Sequence, residues 1–222
     1  MIEITHRYTG KVLHKVDADT LTGANLTNAI LMVAELSSTN LDHADLIGAH
    51  LSEANLDWAS LIGANLIGAE LNGASFEDAD LTDANLSDAN LTGAMLGGTI
   101  LTGANLNGTN LCGANLCGAD LTDANLNYAS LLNATLEEAD LTNAYLTGAR
   151  LGRTVFVNCV KLHQVKGLAT VEHYGPSTLD ARTLRACIKQ LSTPFLRGVG
   201  YHQREIDTLQ ALYANWTDGE DS

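Results

Sequence analysis

Proline is almost missing from this 222-residue chain: the two present are Pro176 and Pro194, and nothing before them. A long proline-free stretch suits backbone that must donate hydrogen bonds to stacked neighbours throughout. Aromatic residues make up only 5% of the chain, so a core built on rings is excluded. Lysine and arginine do not occur between residues 16 and 149, against 18 acids in the same stretch. That body cannot neutralise phosphates, and direct binding to nucleic acid is not expected. No apolar run approaches the ~20 residues of a membrane span, and the start has no charged head followed by an apolar stretch, so neither membrane nor leader is expected. The four cysteines (Cys112, Cys117, Cys159, Cys187) lack Cys-x-x-Cys spacing. A disulfide framework and a metal site are therefore not expected, and the setting is read as reducing and cytoplasmic. The histidines are scattered, with His43 and His50 on different faces, and the glycines form no phosphate loop. No catalytic, cofactor-binding or metal-ligating residue is proposed, and the chain is read as a non-enzyme without cofactors.

What is present is a period of five. One large apolar residue recurs at every fifth position from Leu21 to Phe156, 28 positions in all, and only Phe76 and Phe156 are not leucine. Two residues before each stands a small one, usually alanine, with Thr39, Thr99, Thr109 and Thr154 as substitutes and Asp19 as the one charged exception. A period of five fits neither standard element. On an α-helix the leucines would visit every side, and on a flat strand they would alternate faces. One core for all of them requires that the pentapeptide itself be the unit, turned by a constant angle each time. Within it, alanine and leucine two apart point inward. The bend falls two residues after each leucine, where glycine, aspartate and asparagine dominate, as at Gly23, Asn28, Asp83 and Gly103.

Units such as Ala-Asn-Leu-Thr-Gly and Ala-Asp-Leu-Thr-Asp resemble the A(D/N)LXX signature of pentapeptide repeat proteins. The resemblance covers residues 21–156. It implies an all-β solenoid, a right-handed quadrilateral β-helix with four units per coil and so about seven coils. At ~4.8 Å per stacked strand the rod is then roughly 34 Å long. The expected organisation is an N-terminal β-hairpin cap over 1–20, the β-helix over 21–160, and a C-terminal helical segment over 161–222.

The ends break the pattern. Ile2 and Ile4 alternate with polar residues, Thr9-Gly10 is a turn signal, and Val12, Leu13 and Val16 resume the extended pattern. The hairpin is expected to fold over Ile30, Met32 and Val33, apolar at outward positions. At the far end Val155, Val157 and Val160 are apolar outward, and Lys161 in an inward slot marks the end of the array. Residues 162–176 read as irregular. Ser177 with Asp180 is a capping signal. The following helix carries Leu184, Cys187, Ile188 and Leu191 on one stripe and is stopped at Thr193-Pro194. Residues 195–200 read as a connector, and a second helix from about His202 carries Ile206, Leu209, Leu212, Tyr213 and Trp216. The last six residues read as a polar, disordered tail. Gly175-Pro176-Ser177 with Leu179 and Leu184, then Phe195-Leu196-Arg197-Gly198-Val199-Gly200, resembles a segment between pentapeptide arrays and TIR-type signalling domains in some bacterial proteins. No TIR domain follows it here, so that activity is not implied.

Two outward surfaces stand out. Ile47, Trp58, Ile62 and Ile67 form a candidate partner-binding patch, with Tyr128, Leu132 and Tyr145 a lesser one. Glu77, Asp78, Asp80, Asp83, Asp88, Asp120 and Asp123 form a candidate acidic surface. The family resemblance implies that some members confer quinolone resistance by presenting carboxylates to gyrase as DNA does. The acid-free window from residue 89 to 119 counts against a continuous stripe. The function expected is a rigid, acidic scaffold binding an unnamed protein partner. A DNA-mimicking inhibitor of gyrase or another type II topoisomerase stands second, and an adaptor for a bacterial TIR-type system through the tail third. A homodimer, if formed, is expected through the C-terminal segment.

Overall fold

The computed structural model describes residues 1–213. Its body is a stack held by parallel bridges joining residue i to residue i+20, from Asn25↔Asp45 to Thr135↔Val155. Four pentapeptides therefore separate each residue from its stacked neighbour. Through the middle of the stack the leucine amides donate forward, as Leu26 N to the Asp45 carbonyl (2.7 Å), and the residues before them donate back, as Asp45 N to the Ala24 carbonyl (2.9 Å). All 28 large apolar residues are buried, and they belong to one continuous cluster with the alanines. Each buried leucine contributes roughly 1.5–3 kcal/mol.

The bend is more uniform than its composition. All 28 residues two after the large apolar one have φ between +53 and +69°. Twelve are glycine, but Val33, Ser38, His43, Glu53, Trp58, Tyr128, Glu138 and Arg153 share the conformation. A left-handed residue other than glycine costs roughly 1–2 kcal/mol, so tertiary stacking overrides local preference at these corners.

At the start, strand β1 (Ile2–His6) pairs antiparallel with β2 (Val12–Val16) and with β3 (Ala34–Glu35). The hairpin does not cover Ile30 and Met32, which are 59% and 50% exposed. It adds strands to the edge at β3, and Arg7 N donates to the Val33 carbonyl at 2.8 Å. Ile4 is buried and belongs to the same apolar cluster as the leucine column. Pairing decides the site: an open main-chain edge outweighs two exposed side chains.

At the far end, parallel pairing to the column runs on past the pentapeptide register, with the offset growing by a residue at a time. Tyr145 bridges Lys166; β4 (Arg150–Leu151) pairs with β6 (Glu172–His173); β5 (Val155–Phe156) pairs with β7 (Thr178–Leu179). Lys161 lies exposed with its ammonium 2.8 Å from Asp140, while Cys159 and Leu162 carry the interior onward. Residues 162–176, expected to be irregular, hold two short 3-10 turns, Leu162–Gln164 and Leu168–Thr170, whose Leu162 and Leu168 are buried. Helix α1 (Ala181–Cys187) is capped by Asp180, whose side chain accepts from the amides of Arg182 and Thr183. Ser177 is not the cap: its hydroxyl accepts from Thr154 N at 3.3 Å. Thr193-Pro194 starts a helix rather than only stopping one. Ser192 caps α2 (Thr193–Gly198), and proline is tolerated in a first turn because its missing amide has no acceptor there. Helix α3 spans Gln203–Tyr213; Trp216 and the last six residues lie outside the described residues.

Candidate interaction surfaces

The i+20 stacking sorts outward residues into four faces, taken in chain order from the face of Leu21, Leu41 and Leu61. Among acids of residues 21–160, the first face holds Asp42, Asp80, Asp83, Asp120, Asp123 and Asp140. The fourth face, adjoining it, holds Glu35, Asp57, Glu77, Asp78, Glu137 and Glu138. The second and third faces hold Asp45, Asp88, Glu53 and Glu70 between them. Twelve of sixteen acids thus share one half of the surface. Of the residues singled out from sequence, only Asp88 falls outside that half. The 31-residue acid-free window shrinks in space: Asp80 bridges Ile100 and Ile100 bridges Asp120, so one neutral layer separates the two clusters on the first face. On the fourth face the gap is two layers, at Gly97-Gly98 and Cys117-Gly118.

Many of these carboxylates are engaged locally. Asp80 Oδ1 accepts from the amide and hydroxyl of Thr82 (2.9 and 2.6 Å), and Asp120 accepts from Thr122 N (2.9 Å) and Thr102 Oγ1 (3.1 Å). Partial burial pushes Asp42 up, but hydrogen bonds from Ser60, Ile62 N and Asn40 leave it below the ordinary aspartate range. Asp140 behaves alike, with Lys161 and Thr142 outweighing burial. Cys117 lies between acidic neighbours: burial first, then Glu137, Glu77 and Glu138, push its thiol up. It is no activated nucleophile. Cys159, more deeply buried, is pushed up to about 12. Among the described residues no cluster of metal-ligating side chains occurs, and all four cysteines are free.

The apolar patch is spread across faces. Ile47 and Ile67 stack on the second face, Ile62 lies on the first, and Trp58 marks the corner between fourth and first. The three isoleucines are half-buried; Trp58 is 63% exposed, between Ser38 and Asp78 in its column. Tyr145 is engaged by Lys166, whose ammonium lies 4.2 Å from the ring centre.

Sequence reasoning missed two axial ladders. Asn125 donates to Asn105 and Asn105 to Asn85, both at 3.1 Å, along the second face. Corner side chains also lean over the glycine of the next layer: Asn28 over Gly48, His43 over Gly63, Asp88 over Gly108 and Tyr128 over Gly148. Aligning the sequence at a 20-residue offset brings out both.

In the tail, Phe195 and Leu196 are buried, and the Phe195 ring meets Phe156 edge-on at 6.5 Å. Gly198 is packed so closely on the His173 ring that a side chain there has no room. Phe195 and Leu196 thus join the apolar cluster at Phe156, the last large apolar residue of the array.

The comparisons agree with this geometry. The family model for pentapeptide repeats matches in eight copies, over residues 20–46, 39–78, 59–98, 99–137 and 119–158. The chain belongs to the pentapeptide repeat family. HetL, a pentapeptide repeat protein involved in heterocyst differentiation regulation in the cyanobacterium Nostoc sp. strain PCC 7120, is 30% identical over 71% of this chain and 73% of its own, with a TM-score of 0.46. A thylakoid-lumen pentapeptide repeat protein of Arabidopsis thaliana is 33% identical over 51% of this chain and 69% of its own, with a TM-score of 0.37. A trypsin-treated variant of QnrB1, a plasmid-mediated fluoroquinolone resistance protein, aligns over 89% of this chain and 97% of its own with a TM-score of 0.55; at 18% identity it shares the fold. No curated protein matches the chain. Pentapeptide repeat proteins fold as right-handed β-helices and in general serve structural and interaction roles. No helix among the described residues is long and apolar enough to cross a membrane.

Proposed function

We propose that this pentapeptide repeat protein is a rigid, non-catalytic scaffold: a rod of about seven coils, capped by the hairpin and the helical tail, whose acidic half engages a basic surface on a protein partner. The observation that carries this is the segregation of twelve of sixteen acids onto two adjoining faces. Solubility alone requires charge, not charge on one side. Partial use of the carboxylates in local hydrogen bonds fixes their positions and leaves their charge in place, which suits steering and register.

The second reading, a DNA-mimicking inhibitor of gyrase or a related topoisomerase, is favoured by the first face, where Asp80 and Asp120 stand two layers apart, roughly 10 Å at the usual strand spacing. The QnrB1-like fold is compatible with it. One variant set tests both. Asp80, Asp83, Asp120 and Asp123 changed to asparagine keep their acceptor oxygens and lose four charges. The full chain and this variant are compared in partner capture at low and high salt and in a gyrase supercoiling assay. Salt-sensitive capture lost in the variant, without inhibition of gyrase, supports the scaffold. Stoichiometric, salt-sensitive inhibition lost in the variant supports mimicry. Partners retained equally by both chains would overturn the acidic half as the binding surface.

A further inference from the structure

The hairpin completes only part of the starting end. Its β1 pairs with β3 on the fourth face, and the rest of the first layer's edge, residues 22–32, stays bare. In later layers the equivalent amides donate backwards, as His50 N does to the Ala29 carbonyl at 2.9 Å. Among the described residues, the amides of Asn25 and Ile30 find no backbone acceptor, and the carbonyls of Asn25, Thr27, Ile30 and Met32 no backbone donor. Strand β2 is likewise the outer strand of its sheet. Between hairpin and first layer lies an apolar groove of about 350 Å³ lined by Ile2, Leu21 and neighbouring threonines. Ile30 and Met32 stand exposed beside the bare edge.

Open edges of this kind are usually blunted by charge, proline or a bulge. Here residues 20–34 contain no charged residue and no proline. We propose that this end joins two copies of the chain head to head about a two-fold axis, through the bare main-chain edges and the exposed Ile30 and Met32. A two-fold contact sets each patch against a second copy of itself, so a net charge on the patch meets its like. Neutrality over residues 20–34 spares such a contact that repulsion. Side-by-side pairing would instead bring two acidic bodies together, and a foreign partner drawn by the rod's acidity finds no charge to read on residues 20–34. Bare amides and carbonyls take another extended strand, and a second copy supplies one of matching neutrality.

The test is sedimentation equilibrium of the full chain from micromolar to several hundred micromolar. The unmodified chain is expected to be dimeric at the upper end. The double variant I30K/M32K, changed only at exposed side chains, is expected to raise the dissociation constant at least tenfold with an unchanged melting temperature. Leu212→Lys, on exposed α3 at the opposite end, is expected to leave the dimer intact. A chain monomeric at every concentration, assembly beyond two copies, or a dimer broken by Leu212→Lys and not by I30K/M32K overturns the proposal.

Discussion

The left-handed corner makes a prediction in which sign matters more than size. Arg153 and Gly113 occupy the same corner column on the third face, with φ of +53 and +68°. Arg153 is exposed, and its amide donates to the Pro176 carbonyl at 2.8 Å, a bond that any residue but proline keeps. Changing Arg153 to glycine removes roughly 1–2 kcal/mol of left-handed strain. Against that, glycine loses roughly 0.5–1 kcal/mol more backbone entropy on folding. The net is a stabilisation of about 0.5–1 kcal/mol, against the usual rule that glycine weakens ordered structure. Gly113→Ala is the reciprocal. A Cβ there meets nothing within 4 Å, so no steric term intrudes and the change isolates the dihedral. It is expected to cost about 0.5–1 kcal/mol. For a chain of this size each kcal/mol moves the melting temperature by about 2–4 °C, so in circular-dichroism melts the two variants should lie on opposite sides of the parent, each shifted by about 1–4 °C. Arg153→Gly melting below the parent, or both variants moving the same way, would refute the claim that stacking holds these corners against their own preference.

Two further perturbations probe the interior and the far end. Leu86→Asp places a carboxylate in the middle of the buried column and should cost more than about 5 kcal/mol in urea unfolding. Its neighbour Asn85→Ser breaks one link of the amide ladder and should cost only about 0.5–1.5 kcal/mol; similar midpoints for the two would contradict the inward–outward assignment. His173 has both ring nitrogens buried without a partner among the described residues, and burial lowers its pKa from the ordinary histidine value. The neutral ring is therefore favoured in the folded chain. The stability it contributes is complete above the unfolded value, about 6.5, and is lost as pH falls from there through the lowered folded value. Chemical denaturation at pH 7.5 and 5.5 should show a smaller loss for His173→Phe than for the parent; equal losses would show that this ring does not titrate within the packed end.

The interior was legible because every inward slot repeats one requirement, a leucine or its near equivalent, at one spacing. The tail was less so because each step past Phe156 adds a residue to the offset, and a growing offset has no period to detect. Thr193-Pro194 misled for a local reason: proline reads equally as a stop and as a first-turn residue, and only Ser192 accepting from the Phe195 amide distinguishes them. Val33 could not have been placed in a left-handed corner from its own preferences, since a β-branched residue is among the worst there. Its position relative to Leu31 decided it.

The exterior follows another rule, and this bears on function. A residue on this surface has its stacked neighbours twenty positions away, so sequence distance misrepresents the surface. Thirty-one acid-free residues look like a break when read along the chain, yet they amount to a single layer at Ile100 on the first face. Conversely, Ile62 and Ile67, five residues apart, lie on different faces. A partner reads columns, and in columns the acids divide the rod into a charged half and a nearly neutral half. That division is a property of residue choice at outward positions, where the fold itself imposes little. Turn chemistry alone would have placed aspartate at corners on all four faces alike; only Asp88 and Glu53 among the acids occupy corners on the neutral half. The β-helix does not account for that asymmetry, and the proposed partner contact does.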